Sequence, residues 1–402
     1  MLNNFLNKLE DPENPLLGPN IKALKFWGLL LHKQKFRRFL DIFLNVSVVF
    51  FVVTEYIDLW LNRNDSDLVL ENLKSSMSST SNALKVVTMY IWQKRWHEIN
   101  DYVNRADKYQ RSTSNLANKT IINKYTRYSR KITYVYWCLI FFTGMVVILQ
   151  PLLKYALSSS YRYNVKNGTE RYVEVVRSWV PFDKTNFNNY IAISLFQSYA
   201  TIIGIGWVTS FDTHVVVILV FFRVELEVLR NDCKDIFGSS ESPANEDESF
   251  QRLKDCHRRY NEFIRYTRMF NSCVSPVMLI YVLVCSLMLC ATAYQLTVET
   301  STVQCLLLGE YLIFGILELL LFCWHSNEVI YASKELMKGP YESNWWASSA
   351  SRQKDVCILI HQFNKTIVFT AGPFTELTVA TFLSILKGAY SYYTILSQSK
   401  NN

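Results

Sequence analysis

The stretch that decides the fold lies near the end of the chain and reads AGPFTELTVATFLSILKGAYSYYTILS from Ala371 to Ser397. Proline cannot continue a helix and disfavours helical geometry in the preceding residue, so we expect Gly372-Pro373 to end one helix and Pro373 to open the next. The second helix then begins at Phe374 and, at about 1.5 Å per residue, is long enough to cross a bilayer core of about 30 Å. The sequence predicts a split last helix, with its first half over residues 355–370.

This last helix is polar for a membrane span, since it carries four threonines, three serines and Lys387. Charged side chains within spans usually face a bundle interior or water. One apolar face beside a face of small and hydroxyl side chains suggests a pore-lining helix. The alternative is a packing helix whose hydroxyls bond to its own carbonyls and whose lysine reaches the membrane surface. The pattern alone leaves both open.

Half of the residues are hydrophobic, and they cluster in long runs. This pattern predicts an all-α membrane protein with seven transmembrane helices. The second span is poorly hydrophobic because of Glu71, Lys74 and a Ser/Thr-rich tract at 75–81. It either faces protein or a water-filled cavity, or it is an interfacial segment. The predicted spans are 39–60, 68–92, 132–153, 190–222, 273–298, 303–324 and 374–397.

The net charge of +8 is distributed unevenly along the chain. Most Lys and Arg outside the spans fall in the N-terminal segment and in alternate loops, which places the N-terminus in the cytoplasm and the C-terminus outside the cell. This asymmetry accounts for the charge without nucleic acid. A basic amphipathic stretch at 21–36 is expected to lie along the inner membrane surface. The predicted organisation is a cytoplasmic segment 1–38, a six-helix domain 39–324, a cytoplasmic anchor region 325–373, and a pore-lining helix with a short extracellular tail 374–402.

No sequence motif points to catalysis or to a cofactor. The six histidines share no common spacing, the nine cysteines form no CxxC pair, and metal-ligand and nucleotide-binding motifs are absent. Glu310 and Glu318 lie eight residues apart in the sixth span and therefore nearly share a face. We interpret them as paired or cavity-facing carboxylates, with ion coupling as the alternative. An enzyme is the least supported class.

Several segments together resemble the insect odorant receptors, a family of seven-helix, ligand-gated cation channels. The resemblance is most specific in the last hundred residues and weaker in the first half of the chain. It is carried by Ala371-Gly-x-Phe374, Thr381 to Leu396, Trp179-Val-Pro-Phe-Asp183, Tyr294-Gln-Leu296, Ser333-x-x-Leu336 and Trp345-Trp346.

The resemblance implies an odorant-binding subunit in the plasma membrane of olfactory sensory neurons. It also implies a heterotetramer with odorant co-receptor subunits, in which each subunit contributes its last helix to one pore. The chain lacks the long insertion between spans four and five that the co-receptor of this family carries. A G-protein-coupled receptor is the first alternative, but its Asp-Arg-Tyr and Asn-Pro-x-x-Tyr motifs are absent. A secondary transporter is the second, and no inverted repeat supports it.

The ligand pocket is predicted between the outer halves of spans two, three and four and the hairpin of spans five and six, where polar side chains and aromatics coincide. This mixture suits a small, uncharged volatile molecule. The predicted ligand-binding residues are Met77, Thr80, Ser81, Met145, Ile148, Leu149, Leu152, Ile193, Phe196, Gln197, Tyr199 and Tyr294.

The hydrophobic gate of the family lies at about the level of Ile385 and Ala389, so the resemblance assigns the gate to these two residues. Helical spacing places three further residues on the same face. Because a ring of lysines would repel cations, Lys387 is expected to face neighbouring helices or to be diluted by co-receptor subunits. The predicted pore and gate residues are therefore Thr378, Thr381, Ile385, Ala389 and Tyr392.

Glycosylation tests the predicted orientation. Of the five sequons, at Asn45, Asn64, Asn118, Asn167 and Asn364, only Asn64 and Asn167 fall outside the cell in this topology. Asn64 lies close to the membrane, so we expect Asn167 to be the main glycan site. The N167Q variant should then remove the glycosidase-sensitive mobility shift of the expressed protein. A glycan on Asn118 or Asn364 would contradict the orientation.

Overall fold

The computed structural model describes residues 9–401, apart from 65, 114, 240–241 and 299–301. In this part of the chain most residues are helical, and two short antiparallel hairpins occur. The strands are β1 (Gly238–Ser239), β2 (Ser242–Pro243), β3 (Thr370–Ala371) and β4 (Thr375–Glu376). The helices are α1 (Gly18–Phe26), α2 (Lys35–Leu61), α3 (Ser66–Ile91), α4 (Gln93–Ser112), α5 (Leu116–Leu157), α6 (Ser159–Lys166), α7 (Phe187–Lys234), α8 (Glu246–Val298), α9 (Thr302–Glu335), α10 (Lys338–Tyr341), α11 (Ala350–Phe363) and α12 (Val379–Asn401).

Five of these helices, α2, α5, α7, α8 and α9, are long and apolar enough to cross a membrane. Helices α3 and α12 carry the second and seventh predicted spans and are more polar. Each of the seven predicted spans lies in a helix, although the last helix begins later than expected. The predicted fold, an all-α membrane protein with seven spans, is confirmed.

Helix α7 forms the centre of the bundle. Nearly every side chain between Gly206 and Leu229 is buried. Helices α2 and α5 instead expose large apolar side chains such as Phe43 and Phe141, as expected of lipid-facing helices. The 48 residues of α7 span about 72 Å at helical rise, well over twice a bilayer core, so this helix is longer than a membrane span requires.

The N-terminal segment packs into the bundle. Asn20 of α1 donates a hydrogen bond to Thr213 Oγ1 of α7 at 3.0 Å, and Arg130 of α5 donates to the Leu16 carbonyl at 2.5 Å. Ile21 and Leu24 are almost completely buried. The expectation that residues 21–36 lie along the membrane surface is therefore wrong for α1, because its apolar face packs against α7 instead.

The break before the last helix also differs from the prediction. Gly372 has a φ of +69°, a left-handed conformation that favours glycine, and it forms the turn between β3 and β4. Its N–H donates to the Ser275 carbonyl of α8 at 3.0 Å, and the Thr370 N–H donates to Asn271 Oδ1 at 2.9 Å. Because this hairpin is docked on α8, helix α12 begins at Val379 and not at Phe374, and the preceding half-helix α11 ends at Phe363 and not at residue 370.

The packing of Trp27 gives a test of the fold. A Cβ at Gly206 would lie 2.1 Å from the Trp27 indole. The G206A variant should therefore lose about 1–3 kcal/mol of stability through overpacking, seen as a lower Tm in detergent. Gly204 of the same helix has no neighbour within 4 Å, and since alanine is the better helix former, G204A should keep or raise the Tm. Equal losses in both variants would contradict this packing.

Candidate ligand cavity and pore helix

A cavity of about 220 Å³ lies between α2, α3, α5, α7, α8 and α9. Gly204 and Gly144 contribute little side-chain volume at its wall, although Gly144 itself is tightly covered by Ile205. The wall is mainly apolar and includes Phe51, Ile140, Ala200, Met288, Leu289 and Leu312. Its size and lining suit a small apolar molecule.

One wall of the cavity is polar and belongs mainly to α3. Ser78, Ser79, Ser81 and Asn82 line it together with Glu55 of α2. Ser79 donates to the Glu55 carboxylate at 3.0 Å. A helix this polar can exist at membrane depth only against protein or a cavity, and α3 meets this requirement.

Beside the cavity, three charged side chains join three helices. Lys85 of α3 has no exposed side-chain surface and lies 2.7 Å from Asp212 of α7 and 3.0 Å from Glu318 of α9. Tyr136 of α5 donates to the other Asp212 oxygen at 2.8 Å. Lys85 also lies 5.4 Å from the ring centre of Tyr281. Breaking a buried ion pair leaves an uncompensated charge, so this cluster fixes how the helices pack.

The two glutamates of the sixth span, interpreted from the sequence as paired or cavity-facing, both have polar partners in the fold. Glu318 pairs with Lys85 and also lines the cavity. Glu310 accepts a hydrogen bond from Thr143 of α5 at 2.9 Å. Both are therefore paired carboxylates at the bundle interior.

Of the twelve predicted ligand-binding residues, Ser81 lines the cavity and the other eleven do not. On α7 the cavity is lined by residues 200–208, which follow the predicted residues 193–199. On α5 it is lined by residues 140–144, which precede the predicted residues 145–152. The two helices run in opposite directions, so both shifts place the cavity one to two turns deeper in the bundle. The eleven are Met77, Thr80, Met145, Ile148, Leu149, Leu152, Ile193, Phe196, Gln197, Tyr199 and Tyr294.

Several of these residues have other roles. Thr80 accepts or donates a hydrogen bond with Tyr56 at 2.8 Å. Leu152 and Leu149 are more than one-third exposed on the outside of α5. Phe196 packs edge to face on Phe51, which lines the cavity, with ring centres 5.6 Å apart. Phe196 therefore lies one layer behind the cavity wall.

Gln197 attaches the loop between α6 and α7 to the bundle. Its fully buried amide donates to Glu174 at 2.8 Å and accepts from the Val175 N–H at 3.1 Å. The neighbouring Val176 lines the cavity, so this loop covers part of it. Trp179 of the loop donates its N–H to the Thr54 carbonyl of α2 at 3.0 Å. The Gln197 amide, which we expected to contact a ligand, instead binds this loop, which we call the covering loop.

At the predicted pore helix, Thr378 precedes α12 and caps it. Its Oγ1 accepts a hydrogen bond from the Thr381 N–H at 3.2 Å, which satisfies a free donor at the helix start. Ile385 and Ala389 are half-buried and pack against the core of the same subunit. Tyr392 lies on α12, but its side chain is outside the described residues.

The opposite face of α12 is exposed and contains Ser384, Lys387 and Ser391. This face is available to a pore or to neighbouring subunits, whereas the predicted gate face is turned toward the subunit itself. Hydrophobic spacing could not separate the two faces, because both mix apolar and small side chains. The gate assignment of Ile385 and Ala389 stays a prediction.

Below the predicted spans, the helices carry an ion pair within α4 and an aromatic contact between α8 and α11. Asp107 of α4 accepts a hydrogen bond from Arg111 at 2.9 Å. Burial raises the pKa of the Asp107 carboxyl, and the hydrogen bond and charge of Arg111 oppose this rise. Tyr260 of α8 packs edge to face on Phe363 of α11 with ring centres 4.7 Å apart and donates to the Gln362 carbonyl at 3.0 Å. These contacts attach α11 to α8.

Glu55, which lines the cavity, and Lys85 and Asp212 beside it were not among the predicted site residues. Each was visible as an isolated charge within a predicted span, a position that usually marks a functional or paired group. Their partners come from different helices and could not be assigned without the fold. In the described part of the chain, no group of three His, Cys, Asp or Glu residues is placed to hold a metal ion.

The buried ion pairs give a direct test. Lys85→Met leaves the carboxylates of Asp212 and Glu318 without their cation and should cost about 3–5 kcal/mol, with loss of surface expression. Adding D212N and E318Q should restore much of this expression because no buried charge remains. Lys338→Met, which removes an exposed partner of Glu335, should cost under about 1 kcal/mol. Normal expression and Tm of the single Lys85 variant would contradict the burial of this pair.

The comparisons with known proteins agree with one family. A sequence profile described as 7tm odorant receptor matches residues 65–390. The odorant receptor Or2 of Anopheles gambiae is 22% identical over 393 residues, which cover 97% of this chain and 99% of Or2. The odorant receptor coreceptor of the same mosquito is 25% identical over 143 residues, or 35% of this chain and 30% of the coreceptor.

The fold also matches a solved structure. The olfactory receptor OR5 of Machilis hrabei, solved in complex with eugenol, superposes with a TM-score of 0.81 at 16% identity, covering 97% of this chain and 100% of OR5. This likeness concerns the fold, whereas the profile spans most of the sequence. Because the profile matches most of the sequence, the chain belongs to the 7tm odorant receptor family.

Proposed function

We propose that the chain is the odorant-binding subunit of a ligand-gated, non-selective cation channel in the plasma membrane of olfactory sensory neurons. A small volatile ligand occupies the cavity and opens a hydrophobic gate in the last helix. The observation that carries the proposal is the cavity itself, which is small, mainly apolar and lined in part by α8 and α9, the helices that contact α12.

The contacts of α12 suggest how ligand binding reaches the gate. Helix α12 packs against α8 and α9. The same two helices supply Met288, Leu289, Tyr311 and Leu312 to the cavity wall. A ligand that fits the cavity better when α8 and α9 take their open-state positions shifts the population toward the open channel.

The exposed lysine of α12 favours assembly with a different subunit. In a tetramer of this chain alone, four copies of Lys387 would lie on exposed pore-helix faces, and a positive ring repels cations. Co-receptor subunits in a heterotetramer would dilute this charge. The cytoplasmic N-terminus and extracellular C-terminus follow from the distribution of basic residues. The G-protein-coupled alternative has no observation in its favour.

The proposal is tested by placing a larger side chain on the cavity side of α7, with a control on the outer side of the same helix. Thr201 lines the cavity, and the next residue, Ile202, is 46% exposed on the outside of the same helix. In cells that also express the co-receptor, Thr201→Phe should raise the half-maximal odorant concentration at least about tenfold, because the added ring occupies the ligand volume. Current recordings over an odorant dilution series measure this shift.

The matched control is Ile202→Phe, which should leave odorant potency unchanged. Current evoked by a co-receptor agonist should be the same in both variants and in the unmodified chain. Without co-receptor, the chain should give no odorant-evoked current. Robust current from the chain alone would refute the heteromer, and unchanged potency in the Thr201 variant would place the ligand elsewhere.

A further inference from the structure

The wall of the cavity between α5 and α9 is closed by side chains and not by helix packing. Both helices pack against α7, but within the described residues their backbones hardly approach each other. Even so, α5 contributes Ile140 and Thr143 to the cavity wall, and α9 contributes Phe314. The cavity therefore lies directly behind this line of side chains, which we call the α5–α9 seam.

Few contacts hold the seam closed beside the cavity. The Thr143 hydroxyl of α5 donates a hydrogen bond to the Glu310 carboxylate of α9 at 2.9 Å. Deeper in the bundle, Phe314 packs on Tyr136 with ring centres 6.2 Å apart. Between these two contacts, no other hydrogen bond joins the described residues of the two helices. Because a hydrogen bond between helices stabilises their contact only modestly within a membrane, the seam can open transiently at small cost.

The outside of the seam is apolar. The exposed side chains that neighbour the seam residues in sequence are large and hydrophobic on both helices, and they are Phe141 and Phe142 on α5 and Ile313 and Leu317 on α9. Such side chains place the outside of the seam against the hydrocarbon of the bilayer. Small apolar molecules leave water for this phase, so it concentrates the ligands that suit the cavity.

The covering loop is a less favourable entrance. Gln197 of α7 binds it through both the oxygen and the nitrogen of its amide. The Trp179 N–H of the loop donates to the Thr54 carbonyl of α2 at 3.0 Å, and Lys184 lies 3.7 Å from the Asp58 carboxylate of α2. Lifting the loop breaks all of these bonds together, whereas opening the seam breaks one. Since each bond adds to the free energy of opening, the seam opens more often.

We propose that small apolar ligands enter the cavity from the bilayer through the α5–α9 seam, and that the hydrogen bond between Thr143 and Glu310 is the latch of this entrance. This inference deepens the proposed function and rests on it for the identity of the ligand as an odorant. Glu310 does not line the cavity. It therefore controls how fast a ligand enters and leaves, and not how tightly the ligand is held.

The test measures access to the cavity with a reactive probe. Thr201→Cys places a thiol in the cavity wall. The probe, methyl methanethiosulfonate, is small and uncharged and converts an accessible thiol to a methyl disulfide. The complex of this variant with co-receptor is reconstituted in lipid vesicles, and mass spectrometry of the peptide that contains residue 201 gives the labelling rate. We expect this thiol to be labelled.

Four further variants on this background locate the entrance. Glu310→Ala removes the acceptor and should raise the labelling rate about three- to tenfold, the effect of losing one interhelical hydrogen bond. Thr143→Val removes the donor and should act in the same direction. Glu310→Gln keeps an acceptor oxygen for Thr143 and should label at the background rate. Lys184→Met removes the ion pair between the covering loop and Asp58, and it should also leave the rate unchanged.

The outcomes separate this inference from the proposed function. Faster labelling in the two latch variants, in a complex that gives no odorant-evoked current, would support the inference and contradict the channel proposal. A rate that neither latch variant changes, or that Lys184→Met raises as much as they do, would overturn the inference alone. Absence of labelling in the Thr201→Cys complex would also overturn it, because a small apolar molecule would then have no route to the cavity.

Discussion

A lysine held between two carboxylates inside the bundle is the interaction on which the rest of this structure depends. Lys85 has no exposed side-chain surface and binds Asp212 and Glu318, which come from two other helices. Burying three charges is costly, and the cost is offset only when each partner is in place. The positions of α3, α7 and α9 are therefore mutually fixed, and these three helices form half of the cavity's surroundings.

This constraint explains how a poorly hydrophobic helix serves as a span. Helix α3 turns Lys85 to the ion pairs and Ser78, Ser79 and Ser81 to the cavity, so these polar groups face protein and not lipid. The central helix α7 passes behind it and receives the N-terminal segment through the contact of Trp27 with Gly206. The cavity remains where α7 has the small side chain of Ala200 and the glycine at 204.

The seven spans could be predicted because apolar runs and basic loops report directly on the membrane. The hairpin at Gly372 could not, since a left-handed glycine that turns a strand and one that ends a helix look alike in sequence. The cavity lies one to two turns deeper than most of the predicted ligand contacts, because depth depends on how helices cross. Gln197 had the expected chemistry but serves the covering loop through Glu174 and Val175. Which side of α12 stays exposed, here the side with Lys387, is decided by the packing of neighbouring helices. Sequence periodicity does not reveal that packing.

The central claim is that the ligand binds inside the bundle, behind the covering loop, and acts on α12 through α8 and α9. The most direct measurement is an electron cryo-microscopy map of the chain with co-receptor subunits and a saturating odorant. The account predicts ligand density in the cavity bounded by Glu55, Ser81, Leu289 and Tyr311, with α12 displaced relative to the unliganded complex. An empty cavity, with ligand density between subunits or on the outer surface of the covering loop, would contradict it.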